Sequence, residues 1–167
     1  VIGDPINGKI FLAQTIDGGD NWREMKANTF AVDSGEACFA SSGTNIRKIN
    51  YIANVYVTGG KAAHIFIRNE KRELPIVQGS ESTGANSIGV KDTHSFIVVG
   101  GDFNKKDSVY KNCVITMDGG KTWTVPDIPP HGYRSCVEYL EKDSWISCGL
   151  NGVDYSKDGG KTWTWIS

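Results

Sequence analysis

The chain has 167 residues, 39% of them hydrophobic, and 18 Lys and Arg against 19 Asp and Glu give a net charge of −1. That is enough material for one packed core, and the charge balance excludes a general pull toward nucleic acid or an anionic membrane surface. No stretch reaches the ~18 apolar residues of a membrane-spanning helix, and Val1-Ile2-Gly3-Asp4 has neither the basic start nor the apolar run of an export signal.

Twenty glycines against two methionines signal short strands and tight turns, and no segment carries a helical period. In chain order, Val1 to Asp4 reads as the end of a strand, matching Val99-Gly100-Gly101-Asp102, and is followed by strands at 9–14 and 21–25. A second unit of four strands, A to D, is expected at 37–41, 51–58, 63–68 and 73–77, with 65–74 as a degenerate corner. A third is expected at 87–91, 95–100, 112–117 and 121–125. The last is the clearest, at 135–140, 144–149, 152–157 and 161–166, where Cys136, Glu138 and Leu140 alternate with Val137 and Tyr139.

Three octets punctuate these strands: Thr15-Ile16-Asp17-Gly18-Gly19-Asp20-Asn21-Trp22, Thr116-Met117-Asp118-Gly119-Gly120-Lys121-Thr122-Trp123 and Ser156-Lys157-Asp158-Gly159-Gly160-Lys161-Thr162-Trp163. The Asp-Gly-Gly steps call for positive φ. The Asp carboxylate and the Ser or Thr hydroxyl accept backbone N–H groups within the turn, and the Trp opens the return strand with a large apolar plate. Asp17, Gly19, Trp22, Asp118, Gly120, Trp123, Asp158, Gly160 and Trp163 are therefore expected to be structural. One carboxylate per octet falls short of the 6–8 oxygens of a calcium loop.

Asp118 and Asp158 stand 40 residues apart, and the 101 residues from Asp17 to Asp118 leave room for one unit without a good octet. Four short strands per 40–50 residues is a propeller period. The expected fold is all-β, with antiparallel four-stranded blades of a β-propeller and about three and a half blades in an incomplete ring. The division is a half blade over 1–30 and blades over 31–80, 81–128 and 129–167. Closed propellers usually need 4–8 blades. The expectation is therefore a piece of a longer protein, or self-association through open blade edges.

The octets resemble the Asp-box, or BNR, repeat of sialidases, xyloglucan-degrading hydrolases, sortilin-type receptors and photosystem II stability/assembly-factor-like proteins. Gly3-Asp4-Pro5, the run from Gly35-Glu36-Ala37-Cys38 to Gly43-Thr44, and Gly132-Tyr133-Arg134-Ser135 resemble a bacterial assembly-factor-like group. That resemblance covers essentially the whole chain and implies a secreted or periplasmic propeller. The repeat specifies a fold far better than a function.

If the octets are C–D turns on one face, function belongs on the opposite face, where strand A begins and strand B ends. The candidate ligand-binding residues there are Glu36, Asn86 and Arg134 at the A starts, Asp4, Asp102 and Asn151 at the B ends, and Tyr133 beside Arg134. They are expected to bind a polar ligand, a protein or a glycan, without catalytic residues, metal or cofactor; the competing reading is hydrogen-bonded loop residues. A sialidase needs an Arg cluster, a Tyr nucleophile with a Glu partner and an Asp acid; of five arginines only Arg134 falls near the expected centre. A two-carboxylate glycosidase needs a defined acid pair, and nothing selects one among Glu36, Asp4 and Asp102. His64, His94 and His131 fall in separate segments, against a shared metal. No GxGxxG fingerprint marks an oxidoreductase. Cys38, Cys113, Cys136 and Cys148 lack metal spacing and read as buried free thiols, with one exception: a tight 135–149 hairpin would set Cys136 opposite Cys148.

Overall fold

The structure is a computed structural model that describes residues 1–25, 30–39, 42–50, 53–68 and 70–167. Its strands form four antiparallel sheets, with no α-helix among the described residues. The first holds β1 (Ile2–Ile6), β2 (Lys9–Gln14) and β3 (Arg23–Glu24) in that order. The second runs β5 (Ile46–Lys48), β6 (Asn54–Val57), β8 (His64–Ile67) and β9 (Glu70–Glu73).

The third sheet has five strands. It is built on β10 (Thr83–Val90), β11 (Phe96–Asp102) and β12 (Cys113–Thr116), and gains β7 (Gly59–Gly60) and β4 (Glu36–Ala37) on the β10 side. The fourth is β13 (Cys136–Glu141), β14 (Ser144–Gly149), β15 (Gly152–Ser156) and β16 (Thr164–Trp165).

Three departures from the expected strands have local causes. The A and B strands of the second unit are each broken, and their inner halves join the third sheet through a Gly59–Gly84 bridge. Glycine permits that approach: a Cβ on Gly84 would stand 2.4 Å from the Gly59 Cα. The expected D strand at 73–77 lies at Glu70–Glu73 instead, because Ile67 pairs with Glu70 across a tight turn in which Arg68 takes φ 49°. The expected D strand at 121–125 is reduced to one bridge between Ile115 and Thr124. The expected positions 40–41 and 51–52 lie outside the described residues.

Successive sheets pack face to face, and the apolar pattern shows why. Along β11, Phe96 and Val98 enter the core shared with the second sheet, beside Val55, Val57, Ile65 and Ile67. Ile97 and Val99 point the other way, into a core with Val137, Trp145 and Trp163 of the fourth sheet. Tyr56 and Phe66 likewise turn away from their neighbours toward Ile10 and Leu12 of the first sheet. Strands buried on both faces must be apolar at every position, and each enclosed Val, Ile or Phe contributes roughly 1.5–3 kcal/mol.

Candidate functional site: the rim at the inner strand ends

The octets define one end of the sheets. In each, the hydroxyl of the first residue donates to the Asp carboxylate, at 2.7 Å for Thr15–Asp17 and 2.8 Å for both Thr116–Asp118 and Ser156–Asp158. The same hydroxyl accepts the N–H of Gly19, Gly120 or Gly160 at 2.9–3.0 Å. The Asp carboxylate also accepts the N–H of Asn21, Thr122 or Thr162, at 2.9 Å each time. Both glycines of each octet have positive φ, between 74° and 110°.

These bonds favour the ionised acid. Donation from the Asn21 N–H, then from its side chain and Thr15, holds Asp17 at about 2. Donation from the Thr122 hydroxyl and N–H holds Asp118 well below the usual carboxylate range. Desolvation opposes the effect at Asp158, but the bonds from Thr162 and Ser156 outweigh it. Trp22 and Trp163 donate Nε1–H to the Gly19 and Gly160 carbonyls. Trp163 is 4% exposed, Trp22 remains 50% exposed, and Trp123 packs against the core between the second and third sheets. The A–B turns share this end, since Gly119 N–H donates to the His94 carbonyl and Gly159 N–H to that of Asp143.

The A starts and B ends gather at the other end. Thr83, at the start of β10, pairs with Asp102 at the end of β11, and Glu36 pairs with Gly60. Arg134 N–H, just before β13, donates to the Gly100 carbonyl at 2.8 Å. The seven candidate residues lie toward this end, with Asn86 three residues inside β10 rather than at its start. Asn86, Tyr133, Arg134 and Asn151 share one hydrogen-bonded group, and Glu36, Asp4 and Asp102 have partners of their own.

Around Glu36 stand three groups that the sequence reading did not foresee. The buried carboxylate accepts the Thr58 hydroxyl and the Asp33 N–H. His64 Nδ1 lies 3.1 Å from one oxygen and Lys71 Nζ 3.1 Å from the other. Burial alone would push this carboxyl up, but the bonds from His64, Thr58 and the Asp33 N–H hold it at about 2. Asp33, Glu36 and His64 present three ligand atoms within 4.8 Å of one another, a set able to meet a metal. A cation already bridges the two carboxylates, because Lys71 Nζ is also 3.3 Å from Asp33.

Arg134 is fully enclosed, at 0% exposure. Its Nε donates to Asp154 Oδ2 at 2.6 Å, and Nη1 donates to the Tyr133 carbonyl at 2.8 Å and to Asn151 Oδ1 at 2.5 Å. Nη2 lies against the same Asp154 oxygen as an ion-pair contact outside hydrogen-bond alignment. Asn151 reaches on to Asp107 at 2.9 Å and the Lys106 carbonyl at 3.2 Å. Tyr133 is buried and donates its hydroxyl to Asn86 at 2.9 Å. Burial pushes that phenol up.

Two further acids act as backbone acceptors. Asp4 takes the Cys38 N–H at 3.0 Å. Asp102 takes the Ser82 hydroxyl at 2.7 Å and the Asn104 N–H at 3.0 Å, which caps the 3-10 turn Phe103–Lys105. Phe103 in that turn and Tyr110 after it are 55% and 64% exposed, and Lys105, Lys106 and Asp107 between them are exposed as well.

No family model and no curated protein matches this chain. Among solved structures it is similar to one titled "YCF48 bound to D1 peptide", with a TM-score of 0.52 and 21% identity over 73% of this chain. The fold is a β-propeller, with blades antiparallel and the ring incomplete. The chain spans 40% of the length of that solved chain, and at this identity the likeness is one of fold. One cleft, of about 590 Å³, opens between the first two sheets beside Trp22, Met25, Phe30 and Phe66, and another, of about 570 Å³, is lined by Pro75, Tyr110, Lys111 and Trp123.

Proposed function

We propose that the chain is part of an Asp-box propeller that serves as a non-catalytic scaffold and binds a protein segment on the face carrying the rim. The observation that carries this reading is that the rim's reactive side chains already have partners within the protein. Glu36 meets four donors, Arg134 is closed over by Asp154, Asn151 and the Tyr133 carbonyl, and Asn86 holds the Tyr133 hydroxyl. In this reading Glu36 and Arg134 position the rim from below. Asp4, Asp102 and Asn151 shape its edge, and the exposed Phe103, Tyr110 and Lys106 meet the partner. The solved propeller similar in fold carries a bound peptide by its title, which supports a protein partner over a glycan.

Glycan hydrolysis is the competing reading, and the electrostatics of Glu36 argue against it as that reaction's general acid. A glycosidase acid is kept protonated near neutrality by a raised pKa, whereas Glu36 is held at about 2. The test uses the parent protein in two assays. Photo-crosslinkers at Phe103 and Tyr110 are expected to capture one defined protein, while the same probe at Ile16, in the first octet, captures none. Asp118→Ala is expected to lower stability without selective loss of that capture. Turnover of sialosides or β-glucans that disappears in a folded Glu36→Gln variant would replace the scaffold reading with hydrolysis.

A further inference from the structure

We propose that Cys136 and Cys148 are a paired modification site, forming an intrachain disulfide across the β13–β14 hairpin when the protein meets a small-molecule disulfide oxidant such as glutathione disulfide. The two residues are direct cross-strand partners. Opposed residues of an antiparallel pair have Cα atoms about 4.5–5.5 Å apart, inside the roughly 4.4–6.8 Å that disulfides span. Directly paired residues also project to the same side of the sheet. The neighbours show which side: Val137, Trp145 and Ser147 alternate into the core, while Cys136, Glu138 and Cys148 project the other way.

The other two cysteines provide an internal contrast. Cys38, just after β4, and Cys113, in β12, are buried and closed off from an oxidant. Desolvation pushes the Cys38 thiol up to about 12 and raises that of Cys113 as well. Cys148 is exposed and Cys136 is half-buried. Burial and the neighbouring Cys136 raise the Cys148 thiol too, with Arg134 opposing them, so what sets this pair apart is its exposure and its cross-strand pairing.

The chemistry balances in two exchanges. The Cys148 thiolate attacks one sulfur of glutathione disulfide, whose S–S bond breaks, and the departing glutathione takes up a proton. The Cys136 thiolate then attacks Cys148 Sγ and expels the second glutathione, which takes up the other proton. Two protein thiols lose two electrons, and one glutathione disulfide becomes two glutathione thiols. The new bond ties the residue after Ser135 to the residue before Gly149, and so fastens the two strand ends that carry Arg134 and Asn151 to the rim.

The test treats the native 167-residue chain with glutathione disulfide, then counts thiols in denaturant and maps peptides under non-reducing conditions. Free thiols are expected to fall from the four in the sequence to two, with Cys136 and Cys148 in one cross-linked peptide and Cys38 and Cys113 still alkylatable. Cys136→Ser is expected to stop with one glutathionyl group on Cys148. Retention of all four thiols, a stable glutathionyl adduct on the unmutated chain, or a bridge to Cys38 or Cys113 would overturn the proposal. Mapping of the unmutated chain decides the matter even if the serine variant does not fold.

Discussion

Replacing Arg134 by Met keeps most of its apolar stem but removes the guanidinium that faces Asp154 in the core. Both partners are enclosed, at 0% and 1% side-chain exposure, so the Asp154 carboxylate would be stranded without water or a cation. Removing one partner of such a pair costs about 3–5 kcal/mol. The Tyr133 carbonyl and Asn151 Oδ1 would each lose a donor as well, at about 1 kcal/mol apiece. For a domain of this length each kcal/mol moves the melting temperature by roughly 2–4 °C. With about 5–7 kcal/mol lost in all, Arg134→Met should therefore melt roughly 10–28 °C below the parent.

Urea unfolding checks the origin of that loss: the midpoint should fall while the slope stays unchanged. The double variant Arg134→Met with Asp154→Leu should recover most of the stability, because a buried ion pair replaced by apolar groups of similar volume is often neutral. A single-variant cost below about 1 kcal/mol would refute the enclosure. A double variant no more stable than the single one would refute the stranded charge as the cause.

Two other perturbations follow from the same rim. Glu36 is held at about 2 against an ordinary 4.5; its folded-state pKa is depressed, so its stabilisation is full above pH 4.5 and lost as pH falls toward 2. Melting curves across that window should show about 2 kcal/mol of lost stability after allowance for screening, and Glu36→Gln should flatten the dependence. Gly100→Ala would put a Cβ 1.9 Å from the Gly84 carbonyl oxygen, and at about 3 kcal/mol should cost more in denaturant titration than Gly8→Ala. At Gly8 nothing lies within 4 Å, and only the positive φ is strained, at about 1 kcal/mol.

The parts of the fold legible in the sequence are those whose chemistry is local. An octet completes its hydrogen bonds within eight residues, so its pattern is written in the chain wherever it occurs. The strands at 144–149 and 9–14 match because one register of alternating side chains fits them. Strand D is poorly legible because little pairing defines it: β16 is two residues long and Thr124 makes one bridge. The environment of Glu36 depends on partners 22 to 35 residues away, and nothing near Glu36 in sequence announces Thr58, His64 or Lys71. Arg134 is placed at the rim by the repeat, but its burial follows from Asp154. An aspartate inside an otherwise strand-forming run such as Gly152–Ser156 is the signal that could have revealed a buried partner.

The junctions between sheets explain why so polar a rim is so closed. At each, the incoming chain at an A start meets the B end of the preceding unit: Cys38 N–H on the Asp4 carboxylate, Gly84 paired with Gly59, and Arg134 N–H on the Gly100 carbonyl. Where backbone meets backbone, side chains are excluded. A Cβ on Gly101 would stand 3.1 Å from the Tyr133 Cα, and one on Gly59 2.9 Å from the Ala85 nitrogen. Glycine at these points lets the chains approach until water no longer separates them, and any ionisable group carried inward then needs a partner within the protein. Asp154 fills that role for Arg134, and Lys71 and His64 fill it for Glu36. Close packing at the inner ends thus withdraws Glu36 and Arg134 from solvent and leaves Phe103, Tyr110 and the lysines beside them exposed, where the proposed partner would meet the protein.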